Sequence, residues 1–133
     1  CTGLTSAPDL PATTLTGSCY ESMFSGCTGL TSAPDLPAMT LASTCYSNMF
    51  SGCTGLTSAP VLPATNLSAK CYDSMFSGCT NLRLVRIEAL KTYENALDNW
   101  LDQCAAKGII RKPSALTLPS SAVPSGWSVV NYD

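Results

Sequence analysis

Apolar and polar positions recur along this chain with a period of 26 residues. Residues 1–26, 27–52 and 53–78 each begin with CTGLTSAP and end with MFSG, and the first two units agree at 20 of 26 positions. Periods between 20 and 50 residues belong to chains whose units bury their apolar sides against one another. In the first half of the unit the apolar positions are Leu4, Ala7, Leu10 and Leu15; in the second half they are Cys19, Tyr20, Met23 and Phe24. The first half is extended in character and punctuated by proline, so LTSAP predicts a short strand ending at Pro8. In the second half, Cys19 with Met23 and Tyr20 with Phe24 stand at i, i+4 spacing, which predicts one apolar face of a short helix or helical turn. Ser18 and Glu21 have capping-box spacing, Thr44 and Lys70 take the cap place in the next units, and Gly26, Gly52 and Gly78 follow as stops.

Beyond Cys79 the repeat breaks off. CTNLRLVRI starts a fourth strand with Leu82 and Val85 in the expected places. From about Thr92, the residues Tyr93, Leu97, Trp100, Leu101 and Cys104 recur at helical spacing, and Lys107 and Gly108 stop that helix. GIIRK and GWSVVNY each read as a short strand able to pair with the other. The expected fold is therefore an α/β solenoid. It is a leucine-rich-repeat-like right-handed stack of short strand plus short helix or turn units over 1–87 (units 1–26, 27–52, 53–78 and a partial 79–87). A C-terminal cap of one helix and short strands follows over 88–133. Stacked strands sit about 4.8 Å apart and packed helices about 8–10 Å, so such a stack curves with its strands inside. Terminal units of a stack must differ from internal ones. Cys1 opens a repeat with no cap, which predicts earlier repeats in the native protein and end-to-end self-association through the N-terminal repeat.

The tandem SCYESMFSGCTGLTSAPDLPATTL resembles the BspA-like leucine-rich repeats of bacterial surface proteins, whose Phe, Gly, Cys, Leu pattern is matched by Phe24, Gly26, Cys27 and Leu30. The resemblance covers residues 1 to about 87. The unit departs from the shorter BspA-like repeat by its Pro-rich segment and second Cys. The ending VPSGWSVV, Val123 to Val130, is similar to the ends of gut Bacteroidales surface proteins. The resemblance implies a cell-surface or secreted location and an adhesion or binding role.

Composition narrows the functional classes. At 45% hydrophobic and 12% charged, the chain has enough apolar residues for a core and few charges outside it. A net charge of −2 gives no case for nucleic acid or an anionic membrane. No apolar run reaches the roughly 20 residues of a membrane span. Before Cys79 the only basic residue is Lys70, against Asp9, Glu21, Asp35 and Asp73; six basic residues follow it, which places a boundary there.

The cysteines follow the repeat. Cys1, Cys27, Cys53 and Cys79 share one position, and Cys19, Cys45 and Cys71 share another. No C-x₂-C or C-x₄-C pair suggests structural zinc. Cys19 and Cys27, about 12 Å apart if helical, lie beyond disulfide reach. Buried thiols acting as small hydrophobes are the first reading, inter-repeat or redox bonding the second. Cys1 also holds the place of a lipoprotein cysteine, although its phase with Cys27 ties it to the repeat.

Catalysis has little support. Histidine is absent, which excludes Ser-His and Cys-His nucleophiles and His-bearing metal sites. No cofactor is expected. Asp9 with Asp35, and Glu94 with Asp98 and Asp102, read as solvated faces; a weak calcium contact is the alternative for the first pair. Trp100 and Trp127 read as core, with sugar stacking as the alternative. NLS at Asn66 and DSM at Asp73 match short glycosylation motifs that arise readily by chance.

Unit-to-unit comparison adds one clue. Thr5, Ser6, Thr31, Ser32, Thr57 and Ser58 repeat without change, while substitutions gather on the second half of the unit. These six residues form the candidate ligand face. The expected function is a non-catalytic surface interaction or adhesion module for a protein or glycan; the alternative is a structural spacer with no ligand of its own.

Overall fold

Left-handed backbone at every fourth residue decides the local structure of this chain. The computed structural model describes residues 5, 10, 15–91, 93 and 95–132. Within them φ is positive at Ser18, Ser22 and Gly26, at Thr44, Asn48 and Gly52, at Lys70, Ser74 and Gly78, and at Asn95, Asn99 and Gln103. An α-helix needs right-handed φ and ψ at every residue, so each of these positions interrupts it. A run of overlapping tight turns forms instead. The N–H groups of Cys19, Glu21, Met23, Ser25 and Cys27 donate to the carbonyls of Thr16, Ser18, Tyr20, Ser22 and Phe24, three residues back.

The even-numbered N–H groups have a different destination. Ser18, Tyr20, Ser22, Phe24 and Gly26 donate to the carbonyls of Ser43, Cys45, Ser47, Met49 and Ser51 in the next repeat, at 2.7 to 3.0 Å. The same alternation carries Thr44, Tyr46, Asn48, Phe50 and Gly52 to residues of the third repeat, and Tyr72, Ser74, Phe76 and Gly78 to Ala96, Asp98, Trp100 and Asp102. In the first three turn segments half of the backbone N–H groups are thus satisfied internally and half by the next segment, in line with the demand that buried peptide groups find partners.

Side chains follow this register into columns. Tyr20, Tyr46 and Tyr72 stack with ring centroids 5.9 and 6.1 Å apart, and Phe24, Phe50 and Phe76 with centroids 5.7 and 5.6 Å apart. Cys45, Met49, Cys71 and Met75 are fully buried beside them, and Leu30, Leu56, Leu62 and Leu82 close the core from the first half of the repeat.

Among the described residues the regular strands lie between 84 and 131. Strands β1 (Leu84–Arg86), β2 (Gly108–Lys112) and β3 (Trp127–Asn131) form one parallel sheet in the order β1-β2-β3. Val85 and Ile110 point into the core, while Leu84, Ile109 and Arg111 are exposed. Pro113 stops β2 by removing the next donor. Trp100 sits between the last turn segment and the loop before β3, its Nε1 donating to the Ala122 carbonyl at 2.8 Å.

The expected α/β solenoid is overturned by this arrangement. Among the described residues there is no α-helix, the single helical element is the 3₁₀ turn Ser120–Ala122, and the one named sheet is open with three strands. The expected helix in each unit is the run of turns set by left-handed Ser18, Ser22 and their equivalents. The expected cap helix after Thr92 is another such run, broken at Asn95, Asn99 and Gln103. LTSAP is not a named strand in residues 30–34 or 56–60 either. Pro34, Pro37, Pro60 and Pro63 cannot donate to a ladder. RLVRI has no proline, and β1 forms there.

Two measurements check this backbone. Far-UV circular dichroism should lack the double minimum of α-helix. Asn48→Val places a β-branched residue at φ 56° and should lower unfolding free energy by about 1–2 kcal/mol, whereas Asn48→Gly should cost far less. Equal urea midpoints for the two variants would contradict the left-handed assignment.

Candidate interaction face

Thr5, Thr31, Ser32, Thr57 and Ser58 are all exposed. Ser6, Cys1, Asp9 and Glu94 lie outside the described residues. The Thr31 N–H donates to the Thr5 carbonyl at 3.3 Å, and the Arg83 N–H to the Thr57 carbonyl at 3.1 Å. The Ile109 N–H then reaches the Arg83 carbonyl at 2.9 Å. The hydroxyl row therefore continues into the sheet, where Arg83 and Ile109 stand next to it. Asp35 and Val61 are exposed on the same half of the repeat, the valine at 47%.

Cysteines are structural in their surroundings. The described cysteines are all free thiols, with Cys27, Cys45, Cys53, Cys71 and Cys79 buried, Cys104 partly buried and Cys19 exposed. Cys53, Cys79 and Cys104 each donate through Sγ to the carbonyl of a phenylalanine 28 or 29 residues earlier: Phe24 at 3.1 Å, Phe50 at 3.0 Å and Phe76 at 3.2 Å. Cys104 thereby joins the row of Cys27, Cys53 and Cys79. Sequence reading had placed it on a helix, and its phase is visible only once the last unit is seen to be one residue shorter. Burial pushes the thiols of Cys45 and Cys53 up to about 11 and those of Cys71 and Cys104 to about 12, with Cys79 raised further. These groups are poor nucleophiles, because the thiolate is the reactive form.

The other candidates are held by local contacts. Trp127 donates through Nε1 to the Ala105 carbonyl at 2.8 Å, and both tryptophans are buried, so neither offers a free ring to a sugar. Asp73 is half-buried and accepts from the Ser74 hydroxyl at 3.1 Å. Asn66 is exposed and bridges to Lys91. Asp98 and Asp102 are exposed on the last turn segment, separated by left-handed Asn99. Among the described residues no group of three or more metal-ligating side chains converges, and no helix is long and apolar enough to cross a membrane. A cavity of about 290 Å³ lies between the last turn segment and the loop before β3, lined by Asn99, Leu101, Gln103, Ala106, Ser121 and Pro124 among others.

A feature that the sequence reading missed is the outer face of the sheet. Register places Arg86 opposite Arg111 and Leu84 opposite Ile109. Arg86 lies 3.4 Å from Glu88 through its Nε, and its guanidinium carbon stands 4.2 Å from the centroid of the Tyr132 ring. The alternation in LVR and IIR, with one buried residue between two outward ones, is the trace of this face in the sequence.

No protein-family model matches the chain, and neither a curated protein nor a solved structure matches it.

The buried groups generate two predictions. Below pH 9 both folded and unfolded chains hold the thiol protons, so these groups leave stability unchanged. Between about 9 and about 12 the unfolded chain releases protons that the folded chain keeps, and stability falls as pH rises. Urea midpoints should therefore decline across that window, and a flat profile would contradict burial of these thiols. The Tyr72 hydroxyl is buried without a hydrogen-bond partner among the described residues. Tyr72→Phe should raise unfolding free energy by about 1 kcal/mol, read from thermal melts, and a large loss would reveal a partner for that oxygen.

Proposed function

We propose that the chain is a non-catalytic interaction module of a cell-surface or secreted bacterial protein. Its ligand is a host or bacterial surface protein or a glycan, engaged through the repeat surface. The observation carrying this reading is the uniform exposed row of Thr31, Ser32, Thr57 and Ser58, bonded by backbone to Thr5 at one end and Arg83 at the other. Short hydroxyl side chains at a fixed repeat both donate and accept, which suits a ligand with a repeating polar outline. The BspA-like resemblance points to the same class of role. Raised thiol pKa values and the lack of histidine weigh against nucleophilic chemistry.

A spacer is the second reading. It draws on the backbone bonding that joins each turn segment to the next in the same way, since such bonding sets length without needing any ligand.

An array of matrix proteins and glycans separates the two readings, with a variant carrying Thr31→Val, Ser32→Ala, Thr57→Val and Ser58→Ala. These changes remove four hydroxyls and keep side-chain bulk nearly constant. Saturable binding that the variant weakens by about tenfold supports the interaction module. A blank array, or binding the variant leaves intact, sinks the hydroxyl row as a ligand face.

A further inference from the structure

Arg86 and Arg111 are direct register partners across β1 and β2. Like charges opposite one another on neighbouring strands destabilise the pair unless a counter-charge joins them. Arg86 has such relief from Glu88 at 3.4 Å and from the Tyr132 ring at 4.2 Å. Arg111 is exposed and has no ion pair among the described residues. Arg83, one residue before β1, is likewise exposed and without an ion pair among them. Among the described residues, the other acidic side chains lie outside the three-stranded sheet, with Glu21, Asp73, Asp98 and Asp102 on the turn segments and Asp35 on the first half of the repeat. The outer sheet face is thus a local basic surface on a chain of net charge −2.

We propose that this face binds a polyanionic glycan. Arg111 takes a sulfate or carboxylate group through its planar fork of donors, a geometry that suits both anions. Arg86, held in place by Glu88 and Tyr132, adds positive charge beside it, and Arg83 extends the surface toward the hydroxyl row. Leu84 and Ile109, each 38% exposed and opposite one another, supply a flat apolar floor for the C–H faces of sugar rings. An acidic peptide fits less well. Extended peptides gain affinity by pairing their backbone with a sheet edge, and the arginines stand on the flat of the sheet, where no ladder partners are free. The proposal rests on the interaction reading for its general role but uses different residues, so variants at Arg111 and at Thr57 separate the two.

The test is binding of the folded chain to dextran sulfate, alginate, neutral dextran and poly-glutamate, measured by biolayer interferometry over a range of salt. Expected is binding to dextran sulfate or alginate that weakens as salt rises, with none to dextran. Binding to one of the two polyanions tells whether sulfate or carboxylate is the preferred group. Arg111→Glu and, separately, Arg83→Glu should weaken that binding by about tenfold each with unchanged circular dichroism. The hydroxyl-row variant should retain it, so a loss confined to the arginine variants supports this inference alone. Full binding by Arg111→Glu, equal binding to neutral dextran, tighter binding to poly-glutamate, or no binding to either polyanion at low salt would each overturn it.

Discussion

A turn segment of this chain bonds only half of its own backbone. Alternate N–H groups close turns three residues back, and the others face outward to carbonyls of the next repeat. An isolated repeat would leave five outward donors to water and expose its aromatic side, so it has little reason to fold alone. Placed beside its neighbour, it has every outward donor between residues 18 and 26 matched at 2.7 to 3.0 Å. Left-handed backbone at each fourth residue is the condition for this, because it turns alternate peptide groups outward. Glycine adopts that conformation without strain, and asparagine at moderate cost, which accounts for Gly26, Gly52 and Gly78 and for Asn48, Asn95 and Asn99 at these positions. Ser18 and Thr44 are less suited to it; their hydroxyls bond one another at 2.7 Å across the repeat boundary.

Near-identical repeats follow from this bonding. Once backbone rungs fix the register, each side chain lies over its own counterpart 26 residues on, and the ring columns of tyrosine and phenylalanine result. Parallel rings of one kind nest without leaving voids between layers. Cysteine suits its column for a related reason: it is small, apolar, and its Sγ reaches a phenylalanine carbonyl in the previous layer. The last unit departs from this rule. Tyr72 donates to Ala96, an offset of 24 residues, where Tyr46 donates to Cys71 at an offset of 25. Ala96 then stands in the place of Cys71, Trp100 in that of Met75 and Leu101 in that of Phe76. The larger indole reaches the Ala122 carbonyl and ties the final loop to the core.

Burial of the tyrosine and phenylalanine columns was legible from the sequence, as were the two C-terminal strands, while the backbone of the repeats was not, and Cys19, Met23 and Tyr93, read on apolar faces, are exposed. Tyr20, Phe24 and their counterparts at i, i+4 do face the interior, but a turn run that repeats every four residues produces that spacing as readily as an α-helix of 3.6. Over eight residues the two periods differ by less than one residue. The distinguishing trace lay on the polar side, in Gly, Asn and Ser recurring at the fourth positions. The repeat strands were misplaced because LTSAP has the right composition but proline too close behind it; RLVRI, free of proline, entered a ladder, and GIIRK and GWSVVNY form the paired strands their composition suggests. Exposure of Thr31, Ser32, Thr57 and Ser58 could be read from their invariance and polarity. The pairing of Arg86 with Arg111 could not, since it requires a 25-residue register after three units of 26.

The change of side chains along the outer row has a structural cause. Thr31 and Thr57 belong to proline-bounded segments in which short hydroxyls sit on irregular backbone. After Arg83 three short strands form a regular parallel sheet, which holds neighbouring residues in fixed register. Long arginine side chains lose much rotamer freedom when they engage a partner, and a rigid backbone with Glu88 and Tyr132 beside it removes part of that loss for Arg86 in advance. Hydroxyls need less support, because a Thr or Ser side chain has little freedom to lose. The segment with regular strands is thus where charged recognition is physically best placed, and the irregular repeats before it suit shorter, neutral contacts.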